Sequence, residues 1–546
     1  MQRIFSRWRE QPLFGAVLVL IITVLLAEAA YYVVFLNTWF DEVEYTYKAW
    51  LTAEGLGQPY LDFRIKHGPI GFYAEVLWQE LFGPTLFGAR VLSALLLGTL
   101  AALLYDIARR LWGRGAALFA LAALALNPYL VGYYVSAVPY ALAMLPLLFS
   151  VWLLLAFGNG TRGLLFATAA MTAAVLVRYN LLPALIILWL YFFFTRGFRA
   201  GAQSVFASLG FFALGFLPYA LLDLEYASVW FLQMLGPWFV SLVSPGYAAL
   251  NSEFALSSPL YFFDRGFLEF LARLTTKYFP LFALFGAGVT LALLQPFSEF
   301  RRLAREHAVL ALIVGAALAL GVAHFLTPAA KAQGSLLHAL YFMPLVILAA
   351  AGFLALFIEK LRAHGAWLPA RRSVVAVCAV TLLLAMPTLA LEGPDIIFFN
   401  HFDGADTDLA RAARGGAFIA EHTASSDVIL SLDSPHALFL AGRAGIPALI
   451  NLDFTAVDHP DETLVRRFAL YTAPMLLNWL RNDATVVLFQ REGLADRSVL
   501  LTQDGEPLRA FQAELARRYT LVGTIEGVYP RKYAHGEGIM ELYRRK

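Results

Sequence analysis

The chain has 546 residues, of which 60% are hydrophobic and only 15% are charged, and its mean hydropathy is +0.65. Because soluble domains carry roughly a quarter charged residues, the composition excludes a soluble globular protein, a disordered protein and a fibrous repeat. The net charge of +2 also excludes the polybasic surface of a nucleic-acid-binding protein. The sequence therefore predicts a protein embedded in a lipid bilayer, without a nucleic-acid partner.

The first apolar segment, from Leu13 to about Leu36, is long enough to cross a hydrocarbon core of about 30 Å and predicts an uncleaved membrane span. Arg178-Tyr179-Asn180 interrupts a run at 163–195 that is too long for one helix, so we divide this run into two spans. With this division we predict eleven spans in all. The other apolar runs of spanning length lie at about 86–105, 116–134, 139–157, 204–222, 279–295, 308–326, 335–358 and 373–391.

Lys and Arg residues fall in alternate loops, which places the amino terminus in the cytoplasm by the positive-inside rule. The outer face then receives the loops at about 37–85 and 223–279 and all residues after Leu391. The sequence thus predicts a multi-pass protein of the inner (plasma) membrane. Its transmembrane domain would span residues 1–391, and residues 392–546 would form an extracytoplasmic domain.

The carboxy-terminal domain is richer in charged residues and alternates short apolar runs with helical patterns. The β-type runs are at 427–432 and 484–490, and the helical patterns are at about 408–421, 435–442 and 506–518. This alternation, over about 150 residues, is typical of a small α/β layer fold.

Three carboxylates, Asp41, Glu42 and Glu44, lie within four residues at the start of the first outer loop. Like charges this close raise the pKa of a carboxyl group unless a cation compensates them, so the cluster predicts a general base or a metal ligand. The alternative is a solvated acidic cap at a helix N-terminus, where negative charge is favourable.

Later in this loop, cations follow a turn with the sequence Gly57-Gln-Pro-Tyr60. Arg64 and Lys66 suit an anionic ligand such as a phosphate, although ion pairs with the acidic residues of the loop are the alternative. His67 on its own is more often a packed or hydrogen-bonded histidine than a base.

Four more polar residues sit near the predicted membrane surface. Arg178 reaches the outer face, where it would contact a lipid phosphate or extend to the headgroups. Lys331 lies in an outer loop and could close over a phosphate or be an ordinary loop lysine. His338 and Tyr341 are one helical turn apart, which suits either a cavity lining or aromatic packing.

These motifs and their order resemble the GT-C glycosyltransferases, in the branch of protein mannosyltransferases and lipid A aminoarabinose transferases. The resemblance rests on Asp41-Glu42 with Tyr45, on Gly57-Gln-Pro-Tyr60, on Lys66-His67-Gly68-Pro69, on Phe82-Gly83 through Gly88-Ala89-Arg90, on Arg178 between two short spans, on the segment from His338 to Pro344, and on Ala441-Gly442-Arg443. Two departures stand out. The Lys-Pro-Pro motif has become Lys-His-Gly-Pro, and residues 127–144 contain no carboxylate, which argues against a metal ion that bridges two outer loops.

The resemblance implies a polytopic α-helical membrane protein with about eleven transmembrane helices and a carboxy-terminal extracytoplasmic α/β domain. It also implies transfer of a sugar from a polyprenyl-phosphate donor to a hydroxyl of a glycan, lipid or protein acceptor. The acceptor hydroxyl needs a carboxylate to receive its proton, and we choose Asp41 as this base, with Glu42 as the second catalytic residue. Glu42 or Glu44 would orient the acceptor, and a divalent metal ion, if one is bound, would be held by Asp41 or Glu42. The expected substrate-binding residues are Glu44, Tyr60, Arg64, Lys66, His67, Arg178, Lys331, His338 and Tyr341.

Two other function classes fit a polytopic protein, namely a lipid-carrier transporter or flippase and a non-catalytic partner in surface polymer assembly. A transporter would carry polar residues along its spans to form a central pathway. Here the carboxylates and cations cluster at the outer face, and the span interiors contain few ionisable groups. This distribution favours chemistry on a lipid-linked substrate at the membrane surface.

Overall fold

The computed structural model describes residues 12–36, 40–63, 65, 68–158, 160–222, 281–325, 340–363, 407–433, 435–450, 461–467, 469–494, 505–529 and 538–546. These residues form two compact units. The first unit contains the described parts of 12–34, 91–215 and 281–363, and the second contains those of 35–90, 216–222 and 407–546.

Apolar helices dominate the chain through residue 363. In chain order they are α1 (Pro12–Phe35), α2 (Phe40–Ala53), α3 (Pro69–Phe82), α4 (Leu86–Trp112), α5 (Arg114–Ala125), α6 (Pro128–Val135), α7 (Tyr140–Phe157), α8 (Thr161–Val177), α9 (Leu182–Arg196), α10 (Phe198–Leu222), α11 (Leu281–Leu293), α12 (Phe297–Glu306), α13 (Ala308–Phe325) and α14 (Met343–Ala363).

Within the described residues, five helical segments are long and apolar enough to cross a membrane, and a sixth arises if α5 and α6 form one span with a bend of 71°. The five are Phe14–Phe35, Leu86–Trp112, Tyr140–Phe157, Tyr179–Arg196 and Met343–Lys360. Helices α8, α11 and α13 are apolar but shorter, and the predicted span at 373–391 lies outside the described residues. The protein is therefore a multi-pass membrane protein, and its total of eleven spans stays a prediction.

The predicted division of the run at 163–195 is confirmed at Arg178. Helix α8 ends at Val177, Arg178 has extended backbone angles (φ −142°, ψ 108°), and α9 begins at Leu182. Pro183 occupies the first turn of α9, where its missing N–H leaves no helical hydrogen bond unmade. The break thus follows from the local sequence.

Small hydroxyl residues join helices inside the first unit. Ser150 on α7 donates a hydrogen bond to the carbonyl of Ala167 on α8 at 2.7 Å, and the hydroxyls of Thr168 and Ser204 lie 2.8 Å apart between α8 and α10. Small side chains allow close helix approach in a bilayer, where packing and interhelical hydrogen bonds replace the hydrophobic effect as the associating force.

The carboxy-terminal part of the second unit is an α/β fold, as the sequence predicts. Its four-stranded sheet has the order β1-β2-β4-β3, with β1 and β2 parallel and the other neighbours antiparallel. The elements are α15 (Asp408–His422), β1 (Ile429–Ser431), α16 (His436–Ala441), α17 (Glu462–Arg467), α18 (Ala473–Asn478), β2 (Val486–Gln490), α19 (Glu506–Arg518), β3 (Tyr519–Ile525) and β4 (Met540–Arg545).

Side chains from alternate positions of β1 and β2 build the core of this fold. Leu430, Val487 and Phe489 are buried in one cluster with Phe511 of α19. The period of two places these residues on the same sheet face, against which the apolar side of α19 packs.

Candidate functional site

Helix α2 carries the three clustered carboxylates and begins with Asp41 and Glu42 in its first turn. Glu42 is fully buried and accepts two hydrogen bonds from Arg90, from Nε to Oε1 at 3.0 Å and from Nη2 to Oε2 at 2.8 Å. Arg90 also donates to the carbonyl of Leu36 at 2.9 Å. This bidentate pair ties the start of α2 to the first turns of α4.

The other two carboxylates of α2 have different surroundings. Glu44 forms a buried ion pair with Lys48, one helical turn later, whereas Asp41 is half-buried. Glu42 and Glu44 are therefore not part of a solvated acidic helix cap, which was the alternative prediction for this cluster. Asp41 is the member of the cluster that keeps partial solvent access.

The arrangement of Asp41 and Glu42 does not suit a divalent metal ion. Both carboxylate oxygens of Glu42 accept hydrogen bonds from the Arg90 guanidinium, whose positive charge repels a cation. In the described part of the chain, no group of three His, Cys, Asp or Glu residues could hold a metal ion. We therefore assign no chemical step to a metal.

Helix α3 packs beside α2 through a polar contact that the sequence analysis missed. The buried amide of Gln79 donates to the Thr46 carbonyl at 2.9 Å and to Glu75 Oε1 at 3.1 Å, and the Thr46 hydroxyl donates to the Glu42 carbonyl at 2.7 Å. Burial raises the pKa of Glu75 to about 7, and the hydrogen bond from Gln79 opposes this shift. Glu75 and Gln79 are one helical turn apart and follow the Lys66-His67-Gly68-Pro69 motif, and this spacing is the sequence pattern from which the contact could have been predicted.

The turn that contains Tyr60 is tightly closed. Tyr60 has a left-handed backbone (φ 69°), its side chain is buried, and its N–H donates to the Phe63 carbonyl at 2.9 Å. Such a conformation costs a non-glycine residue about 1–3 kcal/mol, and conformations of this kind cluster at functional sites. A β-carbon on Gly57 would lie 2.8 Å from the Phe63 ring, so this position requires glycine. The predicted site residues Arg64, Lys66 and His67, which follow the turn, lie outside the described residues.

In the first unit, the Arg178 guanidinium lies against two adjacent tyrosine rings. Its guanidinium carbon is 5.1 Å from the Tyr140 ring centre and 5.4 Å from that of Tyr341, and the two rings are 5.4 Å apart. Cation–π contacts of this kind contribute roughly 0.5–2 kcal/mol and fix the orientation of the planar guanidinium. Arg178 and Tyr341 are thus brought together, whereas Lys331 and His338 lie outside the described residues.

Tyr47 of α2 contacts the carboxy-terminal α/β fold within the second unit. Its hydroxyl donates to the Arg443 carbonyl at 2.9 Å and accepts from the Gly445 N–H at 2.7 Å. The ring stacks on Trp50 with centres 5.6 Å apart and meets the edge of Phe439 at 6.4 Å. No local pattern in the sequence signals a contact between residues this distant in the chain.

Comparison with known proteins gives one family match and several matches in fold. Residues 66–221 match the family model of dolichyl-phosphate-mannose-protein mannosyltransferase. No curated protein matches the sequence. Among solved structures, ArnT from Cupriavidus metallidurans bound to undecaprenyl phosphate is similar with a TM-score of 0.60 and 14% identity, over 96% of this chain and 97% of that chain.

A second similar structure is the archaeal oligosaccharyltransferase AglB from Archaeoglobus fulgidus in complex with an inhibitory peptide and a dolichol-phosphate. The TM-score is 0.53 and the identity 12%, over 96% of this chain and 74% of that chain. Because the sequence identities are this low, the similarity to these structures establishes the fold of this chain and nothing more.

Proposed function

This chain has the GT-C fold of the branch that contains the protein mannosyltransferases and ArnT, and from this premise we propose that it is an integral membrane glycosyltransferase. Its donor would be a sugar on a polyprenyl phosphate, and its acceptor a hydroxyl group on the extracytoplasmic face. Two observations on similar proteins support the donor class, since the ArnT structure holds undecaprenyl phosphate and the AglB structure a dolichol-phosphate.

The geometry of α2 supports Asp41 as the general base. Glu42 is engaged by Arg90, and Glu44 by Lys48, so each of these two carboxylates already has a buried cationic partner. Asp41 lies in the first turn of the helix and is half-buried, so it keeps partial solvent access through which a substrate would approach. The difference in solvent access among these three neighbouring carboxylates is the observation that supports the assignment.

In the proposed reaction, the acceptor oxygen attacks the anomeric carbon of the sugar while Asp41 takes up the hydroxyl proton. The bond from the anomeric carbon to the phosphate oxygen breaks, and the polyprenyl phosphate leaves with the electron pair. An in-line attack inverts the anomeric configuration. Because the leaving group is an anion, it needs positive charge more than a proton, and we assign this task to Arg178, Lys66 and Lys331.

The Asp41→Asn variant tests the assignment, because an amide has the size of the carboxylate but cannot accept the proton. We expect the transfer rate to fall by about 10²- to 10⁴-fold, the usual contribution of a general base. Purified protein would be incubated with radiolabelled prenyl-phosphate sugars and membrane extract as the acceptor source. The control is Glu54→Gln, which removes an exposed carboxylate just after α2 and should leave the rate unchanged.

Three outcomes separate the alternatives. A rate in Asp41→Asn above about a third of the wild-type rate would remove Asp41 from the role of base. Absence of transfer with every donor, together with movement of labelled lipid across reconstituted vesicles, would replace the transferase by a lipid-carrier flippase. Transfer that yields a retained anomeric configuration would contradict the in-line mechanism.

A further inference from the structure

Helix α2 is fixed from three neighbouring elements of the second unit. Arg90 of α4 binds Glu42, Gln79 of α3 binds the Thr46 carbonyl, and the loop after α16 binds Tyr47. With 3.6 residues per turn, Asp41, Glu42 and Tyr47 project about 100–140° apart around the helix axis. Asp41 therefore projects from a different side of α2 than Glu42 and Tyr47, the two side chains that are hydrogen-bonded to neighbouring elements.

At Tyr47 the carboxy-terminal fold forms two hydrogen bonds to this helix. Both hydrogen bonds of the hydroxyl go to backbone atoms, the Arg443 carbonyl and the Gly445 N–H, and the Tyr47 side chain is fully buried. Backbone partners cannot rotate away as side chains can. Tyr47 lies six positions after Asp41 on α2, which corresponds to a rise of about 9 Å along the helix axis.

The loop that receives Tyr47 is itself held in place by the α/β fold. The Arg443 guanidinium donates to the Thr423 hydroxyl at 3.0 Å and to the Thr423 carbonyl at 2.9 Å, at the end of α15. The N–H of Ile446 donates to the Ile429 carbonyl of β1 at 2.9 Å. The α/β fold therefore determines where the hydrogen-bonding partners of the Tyr47 hydroxyl lie.

We propose that Tyr47 is a positioning residue, through which the carboxy-terminal α/β fold sets the orientation of the helix that bears Asp41. This inference rests on the proposed function, in which Asp41 is the base. It assigns the carboxy-terminal fold a part in catalysis without any contact with the reacting atoms. A displacement of about 1 Å in a catalytic group can lower a rate by about 10²-fold, so a small shift of α2 is sufficient.

The test is Tyr47→Phe, which keeps the ring packing against Trp50 and Phe439 and removes both hydrogen bonds. We expect kcat to fall by about tenfold to a hundredfold while the KM for the donor is unchanged. The matched control is Tyr519→Phe. The Tyr519 hydroxyl also donates to two backbone carbonyls, of Leu480 and Ala484 at 2.7 and 2.8 Å, and Tyr519 is the first residue of β3 in the α/β fold.

Hydrogen exchange provides a readout that does not depend on activity. In Tyr47→Phe, the peptide that covers Gly445 should exchange faster than in the wild type, because its N–H loses its acceptor. A second variant, Phe439→Leu, alters the contact only from the side of the carboxy-terminal fold. It should also lower kcat at constant donor KM.

The results distinguish this inference from the proposed function. Faster exchange at Gly445 with full kcat in Tyr47→Phe would overturn the positioning role, even when Asp41→Asn is inactive. An equal fall of kcat in Tyr519→Phe would also overturn it, since general destabilisation would then be the cause. Full activity of Asp41→Asn would instead refute the assigned base and leave the hydrogen-exchange result intact.

Discussion

Single residues in the acidic cluster have separate tasks although they are neighbours in sequence. Glu42 and Arg90 are fully buried and joined by two charge-assisted hydrogen bonds. Removal of one partner from such a pair costs about 3–5 kcal/mol, because the other charge remains buried and uncompensated. A Glu42 variant could therefore lose activity because it is misfolded. A substitution of half-buried Asp41 should disturb the fold less, so its activity tests the catalytic role more directly.

Arg178 yields a prediction about the donor. Loss of a charge-assisted hydrogen bond to phosphate costs roughly 1.5–3 kcal/mol, so Arg178→Ala should raise the donor KM about tenfold to a hundredfold. Arg178→Lys keeps the charge but loses the planar group that contacts Tyr140 and Tyr341, and it should keep only part of the donor affinity. Titration of the donor at saturating acceptor measures both variants.

The control for Arg178 is Arg162→Ala, an exposed arginine in the first turn of α8, the helix that Arg178 follows. It should leave the donor KM unchanged. If the donor KM and kcat are unchanged in Arg178→Ala as well, Arg178 only packs against the two tyrosines and does not bind the phosphate.

At the scale of elements, the contact between α2 and α3 should make stability depend on pH through Glu75. Burial raises the pKa of Glu75 in the folded protein from 4.5 to about 7, so the folded state binds this proton more tightly than the unfolded state. The free energy of unfolding must then fall as pH rises from about 4.5 to 7. Above pH 7 Glu75 is ionised in both states, and the whole destabilisation is present. We expect Glu75→Gln to abolish this fall.

Thermal unfolding in detergent at pH 5 and pH 8 measures the effect. The difference in Tm between the two pH values should be smaller in Glu75→Gln than in the wild type. Glu80→Gln, which changes an exposed carboxylate of the same helix, should keep the wild-type difference. An unchanged pH dependence in Glu75→Gln would show that Glu75 ionises normally in the folded protein.

Many of the elements themselves follow from local sequence, but the contacts among them do not. Run length, charge and periodicity predicted the break at Arg178 and, in the carboxy-terminal fold, β1, β2, α15, α16 and α19, but not β3, β4, α17 or α18. The pairs Glu42–Arg90 and Tyr47–Gly445 join residues 48 and 398 positions apart, so no local pattern encodes them. Arg90 belongs to a motif of the family resemblance, yet its role as the partner of Glu42 required the structure.

At the scale of the whole molecule, the resemblance to the GT-C superfamily is confirmed by the family match and by the shared fold. The predicted boundary between a transmembrane domain and a carboxy-terminal domain at residue 391 lies outside the described residues. The compact units add a feature that composition could not indicate. The described residues of 35–90 form one compact unit with the carboxy-terminal fold, and the Tyr47–Arg443 hydrogen bond is one of the contacts that join them.

The orientation of the chain in the membrane yields a prediction for intact cells. On a Cys378→Ser background, Glu506→Cys at the exposed start of α19 should react with a membrane-impermeant maleimide before lysis. In a Gram-negative host the cells are converted to spheroplasts first. Arg199→Cys, an exposed site in a predicted cytoplasmic loop, should react only after permeabilisation. The reverse labelling pattern would invert the predicted topology.

The Tyr47 contact has a consequence for biosynthesis. Arg443 is made 396 residues after Tyr47, and ribosomes add about 5–20 residues per second, so roughly 20–80 s separate the synthesis of the two partners. During this interval the nascent chain already carries Asp41, but α2 lacks the contact that orients it. Under the proposed positioning role, a chain that stalls or is cleaved before Arg443 would lack this contact, so activity would require synthesis of the chain through Gly445.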